Sequence, residues 1–389
     1  MNRPDNKNAK PPAVVVGDGL NALGIVRSLG AVDIPVIVVG TDPKSPPMRS
    51  RYGGKLLCEA LAGPAFVERM VALARQYGEK LMLFVTEERT VDEVSASRNI
   101  LAPYFHLRMP EHERLMALMH KQGFQDLAEA VGAPVPRTVR LESKADLSRI
   151  EALKFPCVFK PAKKDYGYGA RFKKAYKVMS PAEVADLYEE IFPILADMVV
   201  QEWIEGADNE VYFCLQYVGE DGKPVSSFTG RKIRAWPPRI GGTASCTAAW
   251  EVADQLDQMT TTFFAQVGFT GMGSMEYKRD ERDGRFYMVE PTVARTDFQE
   301  EVASLNGVNI PAAAYRYELD LPQVVPSKVP VPRVWREPVT DRWSLKETGN
   351  TDPRSRDHTV CDAYWRWNDP RPWVDLIVGR ISAKLGRMA

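Results

Sequence analysis

Lys160, Glu276 and Glu290 are a cation that can hold phosphate oxygens and two carboxylates that can share a divalent metal. Lys160 closes an apolar strand, Cys157 to Lys160, and the loop Asp165-Tyr166-Gly167-Tyr168-Gly169 follows it. Glycines let backbone N–H groups approach phosphate oxygens closely, and a lysine adds a point charge between the α- and β-phosphates. This is not a Walker loop, since GxxxxGK[ST] is absent, and a solvated strand end is the plainer reading of Lys160 alone. Met275-Glu276-Tyr277 and Met288-Val289-Glu290 bracket a hairpin. If residues 281–285 form its loop, Glu276 sits opposite Glu290 on one face. Like charges placed opposite each other destabilise a sheet, so the pair asks for a cation. Oxygen ligands beside a phosphate favour Mg²⁺. Two solvent-facing acids out of register are the alternative.

Two further stretches complete the constellation. Val199 to Gly206 reads VVQEWIEG, an apolar strand running into a connection. An adenine can use backbone groups at such a hinge, around Gln201 and Glu202, between apolar walls from Trp203 and Ile204. Glu210 is the expected acceptor for ribose hydroxyls. Thr229-Gly230-Arg231-Lys232-Ile233-Arg234 presents two arginines at i, i+3, suited to a transferring phosphoryl group or a substrate carboxylate, and a solvated edge strand is the bland reading.

The elements that must position these groups follow from the pattern of apolar residues. Ala13 to Val16, Gly17-Asp18-Gly19, Asn21 to Leu29 and Val36 to Val39 make a βαβ start, but Gly17, Gly19 and Gly24 miss GxGxxG, so a structural or small-ligand turn outranks a dinucleotide site. A strand at Leu81 to Val85 enters Thr86 and Glu87, and a single helix is expected from Glu111 to Val131. Beyond Pro134 and Pro136 the pattern turns from α/β to α+β. The expected division is a disordered 1–12, a Rossmann-like 13–115, a small lobe 116–204, a larger lobe 205–323 carrying the hairpin, and a proline-rich linker with a tryptophan-rich extension at 324–389.

The 389 residues carry 51 basic and 51 acidic side chains, so no global field steers the chain toward nucleic acid or anionic membranes. Five scattered cysteines without a CxxC pair read as reduced thiols, and the four histidines show no ligand spacing. A polar N-terminus and the lack of any membrane-length apolar run place the chain in the cytoplasm, where ATP is available.

Taken together, these motifs resemble the ATP-grasp superfamily and its carboxylate–amine ligases over about Ala13 to Leu321. Lys121 ahead of Gly132-Ala133-Pro134-Val135-Pro136 matches the family's helix lysine before GxPxP. Lys160-Pro161 matches its phosphate lysine, Tyr166 to Gly169 its glycine loop, Gln201 to Gly206 its hinge, and Glu276 with Glu290 its paired acids. The resemblance implies a pre-ATP-grasp Rossmann-like domain, a small lid lobe and a larger C-terminal lobe. The usual ExNPR reads Glu290-Pro291-Thr292-Val293-Ala294-Arg295, so Thr292 stands where a metal-binding Asn is expected and Arg295 is displaced by one. The GRKIR run at 230–234 and Ser50-Arg51-Tyr52 are similar to the D-aspartate-ligase-like branch, which favours amino-acid-like or cell-envelope substrates.

The resemblance implies an ATP- and Mg²⁺-dependent ligase that joins a small carboxylate to a small amine through an acyl phosphate. Lys121 and Lys160 would hold phosphates, together with Tyr166, Gly167 and Gly169; Glu276, Glu290 and Thr292 the metal; Arg231, Arg234 and Arg295 the phosphoryl group and oxyanion. Thr86 and Glu87 are expected to meet substrates. The competing readings are a nucleotide-binding module without turnover, motivated by Thr292, and a phosphotransferase on the same fold. Trp373, Leu376, Ile377, Ile381 and Leu385 share a helical face with Arg380, Lys384 and Arg387 opposite. Packing onto the body is the first expectation for that helix, and a peripheral membrane or protein contact the second; a homodimer is also open.

Overall fold

The computed structural model describes residues 10–385 apart from 163, 164, 174, 240, 298, 299, 353 and 355–357, and leaves out the side chains of 166 and 379–385. The side chains of Arg380, Lys384 and Arg387, expected on the polar face of the C-terminal helix, those of Ile381 and Leu385 on its apolar face, and residues 1–9 therefore lie outside the described residues.

Five parallel strands open the chain: β1 (Ala13–Val16), β2 (Val36–Gly40), β3 (Gly54–Leu57), β4 (Leu81–Val85) and β5 (Phe105–His106), in the order β3-β2-β1-β4-β5. Strands β1, β2 and β4 are apolar runs buried along their whole length, as central parallel strands covered on both faces must be. The turn after β1 is structural. Gly17 has φ 145°, and a Cβ there would lie 2.0 Å from Thr86 Oγ1, whose hydroxyl donates to Val16 O at 2.9 Å. The fold begins earlier than expected, because Pro11 and Pro12 are buried and Pro11 O accepts from Tyr315 Oη at 2.6 Å.

The single helix expected over Glu111 to Val131 is two, His112–Met119 and Lys121–Ala130. His120 between them is extended (φ −91°, ψ 132°), so the chain folds back on itself. Gly123 allows this, since a Cβ there would come within 2.3 Å of Ala117 O. Periodicity cannot see the break, because both halves are amphipathic; its consequence is that Lys121 opens a helix rather than riding on its side.

The small lobe is a four-stranded antiparallel sheet of β6 (Thr138–Leu141), β7 (Cys157–Pro161), β8 (Tyr176–Val178) and β9 (Met198–Glu202), in the order β6-β9-β7-β8. Helix Pro181–Ile191 covers it, started by Pro181 and by Ser180, whose Oγ accepts from Glu183 N at 3.3 Å. Phe159, Tyr168, Tyr188 and Ile191 form the core between them.

The large lobe is built on seven strands: β10 (Val211–Val218), β11 (Pro224–Trp236), β12 (Gly242–Ala248), β13 (Gly271–Arg279), β14 (Phe286–Val293), β15 (Val334–Arg336) and β16 (Val360–Asp362), ordered β14-β13-β10-β11-β12-β15-β16. The segment expected as a linker and extension from 324 on is thus part of this sheet, supplying β15 and β16. Its Trp335 is 1% exposed and donates Nε1–H to Glu301 at 2.9 Å. Asp369 receives Arg27 Nε, Ser50 Oγ and Arg51 N at 2.8–2.9 Å, locking the C-terminal segment to the first domain. Ser50-Arg51-Tyr52 therefore belongs to this clamp. All five cysteines are free thiols. Among the described residues no helix is long and apolar enough to cross a membrane.

Candidate active site

A cleft of about 1250 Å³ opens between the small sheet and the large sheet. Lys121, Lys160, Gly169, Gln201, Glu202, Trp203, Ile204, Glu276 and Glu290 all line it. Residues that sequence reasoning placed on five separate segments thus meet in one space.

The carboxylate pair comes from the register of β13 and β14, where Glu276 lies opposite Glu290. The hairpin reaches this pairing by a different route from the expected loop. Arg279 pairs with Phe286 and Tyr277 with Met288, one residue out of step, and a bulge at Val289 restores the alignment. Thr292 lies two residues further along β14, on Glu290's face and opposite Ser274. Burial raises the Glu290 pKa above the usual carboxylate value; Lys121 and Lys160 pull it down, while Glu276 and Glu88 push it up. By surface area Glu290 is exposed at the cleft.

Lys160, next to last in β7, donates to Gln201 Oε1 at 3.0 Å, while Gln201 Nε2 donates to Thr138 Oγ1 at 3.0 Å. This chain fixes both the amide orientation and the lysine. Lys121 enters from the first turn of its helix.

The main residue missed in the sequence is Lys232. Its Nζ lies 2.7 Å from Glu276 Oε2 with the side chain 5% exposed. Burial alone would lower its pKa, but Glu276, Asp297 and Asp208 together outweigh this and the pKa is raised, so the lysine is charged. Strand alternation was the available signal. In an extended chain Arg231 and Lys232 point to opposite faces, and only one of them can face the cleft.

The arginines go elsewhere. Arg231 stacks over Tyr212, 4.7 Å from the ring centroid, and its guanidinium binds Asn209 O and Glu251. It also lies 3.5 Å from Glu210, so this acid, expected at the ribose, is paired outside the cleft. Arg234 is buried and bidentate to Asp341 at 2.6 and 2.9 Å, with Ser245 on the same carboxylate. Bulges in β11 around Arg234 turn it toward helix Pro338–Thr348, so Arg234 ties the sheet to the C-terminal segment. Arg295 reaches the cleft rim, where Nη2 donates to Glu88 Oε1 at 2.9 Å. Ala294 before it adopts φ 56°, a left-handed conformation costing a non-glycine residue roughly 1 kcal/mol.

The glycine loop is also different from the expected phosphate cradle. Tyr166–Gly169 is a helical turn in which Tyr168 N donates to Asp165 Oδ1 at 2.7 Å and Gly169 N to Asp165 O at 3.1 Å. These two N–H groups serve the turn, and Tyr168 is buried in the lobe core. Gly167 lies in the same turn; the Tyr166 side chain is outside the described residues. Thr86 is buried against Gly17, and Glu87 Oε1 accepts from Asp18 N at 3.4 Å, so both serve the first-domain turn.

The hinge is fixed from the large lobe. Lys278 Nζ donates to Gly206 O at 2.7 Å and Ala207 O at 2.8 Å, and burial lowers its pKa. Trp203 is held by its Nε1 bond to Glu205 at 3.0 Å and by Lys177 4.8 Å above its ring. An apolar wall is thereby pinned beside the Lys160 edge.

No protein-family model matches the chain. The biotin carboxylase domain of Hydrogenobacter thermophilus 2-oxoglutarate carboxylase, solved with MgADP, ADP and bicarbonate, superposes with a TM-score of 0.60 at 14% identity, over 81% of this chain and 71% of that one. N5-carboxyaminoimidazole synthase from Aspergillus clavatus, solved with ADP and its ribonucleotide, gives 0.60 at 16% identity, over 84% and 81%. The fold is that of the ATP-grasp enzymes. In sequence the chain is similar to D-aspartate ligase of Enterococcus faecium, 23% identical over 332 residues, 80% of this chain and 76% of that protein.

Proposed function

We propose that this chain is an ATP- and Mg²⁺-dependent carboxylate–amine ligase acting on amino-acid-like substrates, with D-aspartate the first acid to test. The observation that carries this reading is the cross-strand Glu276–Glu290 pair in a cleft that also holds Lys121, Lys160 and Lys232. Similarity to a D-aspartate ligase over most of both chains supports the same reading.

The donor set fits Mg²⁺. Among the described residues no group of three or more His, Cys, Asp or Glu could hold a metal unaided. Two carboxylates with nucleotide phosphates completing the shell is the arrangement Mg²⁺ commonly takes. Glu276 and Glu290 would hold it, with the Thr292 hydroxyl as a third oxygen. When bound, the ion neutralises charge on the β- and γ-phosphates.

Lys160 and Lys121 orient the nucleotide phosphates, and the wall of Trp203 and Ile204 receives the adenine. A substrate carboxylate oxygen attacks the γ-phosphorus, the bond from that phosphorus to the β–γ bridging oxygen breaks, and ADP leaves. The amine nitrogen then attacks the acyl carbon, the carbon–oxygen bond to phosphate breaks, and the nitrogen loses a proton as the amide forms. Lys232, held charged against Glu276, stabilises the phosphoryl oxygens during the first step. Arg295 is the guanidinium at the rim where the acyl group would lie. Little covalent work falls to the protein, so positioning and charge supply most of the rate.

The test is ADP release from MgATP with pooled amino acids as acid and amine. Turnover that requires both, and is lost in Glu290→Ala, supports a ligase. ATP binding without turnover under every combination supports a binding module instead.

A further inference from the structure

A second cavity, of about 690 Å³, lies where the first domain, the large lobe and the C-terminal segment meet. It shares no lining residue with the ATP cleft. This volume is within the range of small-molecule sites.

Its charge is one-sided: Arg27, Arg316, Arg333 and Arg366 face a single carboxylate, Glu301. Two of these arginines are structural. Arg27 donates to Asp369 Oδ2, Ala363 O and Tyr364 O, and Arg366 to Glu301 and to the carbonyls of Asp362 and Trp365. The other two have capacity left. Among the described residues Arg316 makes a single side-chain hydrogen bond, from Nη1 to Pro322 O at 3.0 Å. The Arg333 guanidinium makes no hydrogen bond or ion pair among the described residues. The lining also has an apolar share, from Val32, Val225, Leu305, Ala313 and Val325. Val325 is 87% exposed despite its size.

We propose that this cavity is a second ligand site, distinct from the ATP cleft, for a small organic anion: a carboxylate or phosphate monoester bound by Arg316 and Arg333, with an apolar tail against the Val225 and Val325 wall. Guanidinium groups suit both head groups because they bind planar oxyanions bidentately. A ligand here touches all three parts of the molecule and so stabilises their junction. The ligase reading and this site stand apart, since neither uses the other's residues.

Octyl phosphate, octanoate and uncharged octyl glucoside, titrated calorimetrically into the full chain with and without saturating MgADP, test the proposal. The expected result is one saturable site for the two anions, unchanged by MgADP, and at least tenfold weaker or absent for the glucoside. Arg333→Glu and Arg316→Glu should each weaken the anions at least tenfold, and Ala313→Trp should block them, all three keeping normal MgADP affinity. Equal binding of the glucoside, displacement by MgADP, or full affinity in the arginine variants that retain MgADP binding would overturn it. A variant that loses MgADP affinity as well is misfolded, and Ala313→Trp then decides: retained anion binding overturns the site and selective loss supports it.

Discussion

Glu276 and Glu290 are held opposite each other, with different cations near them. Lys232 neutralises Glu276, while Glu290 is influenced by Lys121, from the helix packed against β14, and by Lys160 of the small sheet. Removing Glu290 as Glu290→Ala should lower turnover about 100-fold or more, as loss of a group that stabilises transition-state charge does. Because burial raises its pKa, the acid limb of the rate and of Mg²⁺ affinity should lie above the ordinary carboxylate range, with activity falling as pH drops through it. A pH profile of kcat/KM, repeated at saturating Mg²⁺ to separate metal loss from chemistry, checks this. Lys232→Met should reduce kcat roughly 10–100-fold, whereas Arg231→Ala, outside the cleft, should change it by no more than about threefold. That contrast marks where the sequence was legible. Spacing was enough for the acid pair, but the run GRKIR offers three cations, and which one enters the cleft depends on strand alternation and two bulges around Arg234.

At the scale of elements, the motif segments were placed with the right type but their ends and connections were less accessible. β7, β9 and the β13–β14 hairpin are short apolar runs with marked boundaries and could be read directly. The break at His120 and the turn at Tyr166 rest on single local contacts, Gly123 against Ala117 O and Tyr168 N on Asp165, which apolar periodicity does not register, and the strand β12 after Gly241-Gly242 pairs with the distant β15. Gly123→Ala should destabilise the chain by about 1–3 kcal/mol in urea unfolding, because the added methyl meets Ala117 O. Arg234→Ala should cost more, about 3–5 kcal/mol, since it leaves Asp341 buried without its partner. Unfolding midpoints with unchanged m-values would verify both. Glu300 offers a pH-linked case. Burial and the adjacent Glu301 push its pKa up to about 8, against hydrogen bonds from Ser28 and Ser304. The folded state therefore holds a proton that the unfolded chain has released, and stability falls as pH rises from the ordinary carboxylate value to about 8. The slope in that window is at most about 1.4 kcal/mol per pH unit, and Glu300→Gln should flatten it.

Across the whole molecule, the C-terminal segment is structural. It supplies two strands to the large sheet, a bidentate carboxylate to Arg234 and a carboxylate to Arg27 in the first domain. Tryptophan content indicated that this region packs on something; its partner was not legible, because a clamp between Arg27 and Asp369 spans 342 residues of sequence. Truncation after Pro332 should leave an unfolded or aggregating product by circular dichroism and gel filtration. The body brings Lys121, Lys160, Lys232 and the paired carboxylates Glu276 and Glu290 to one cleft, and the ligase reading proposed for that cleft stands or falls on an acyl phosphate that can be trapped. Full-length protein with MgATP, D-aspartate and other amino-acid carboxylates, and hydroxylamine as the amine, should yield a hydroxamate in equal amount with ADP, and none in Glu290→Ala. ATP bound tightly with neither ADP nor hydroxamate formed, or a phosphorylated product that survives hydroxylamine, would contradict it.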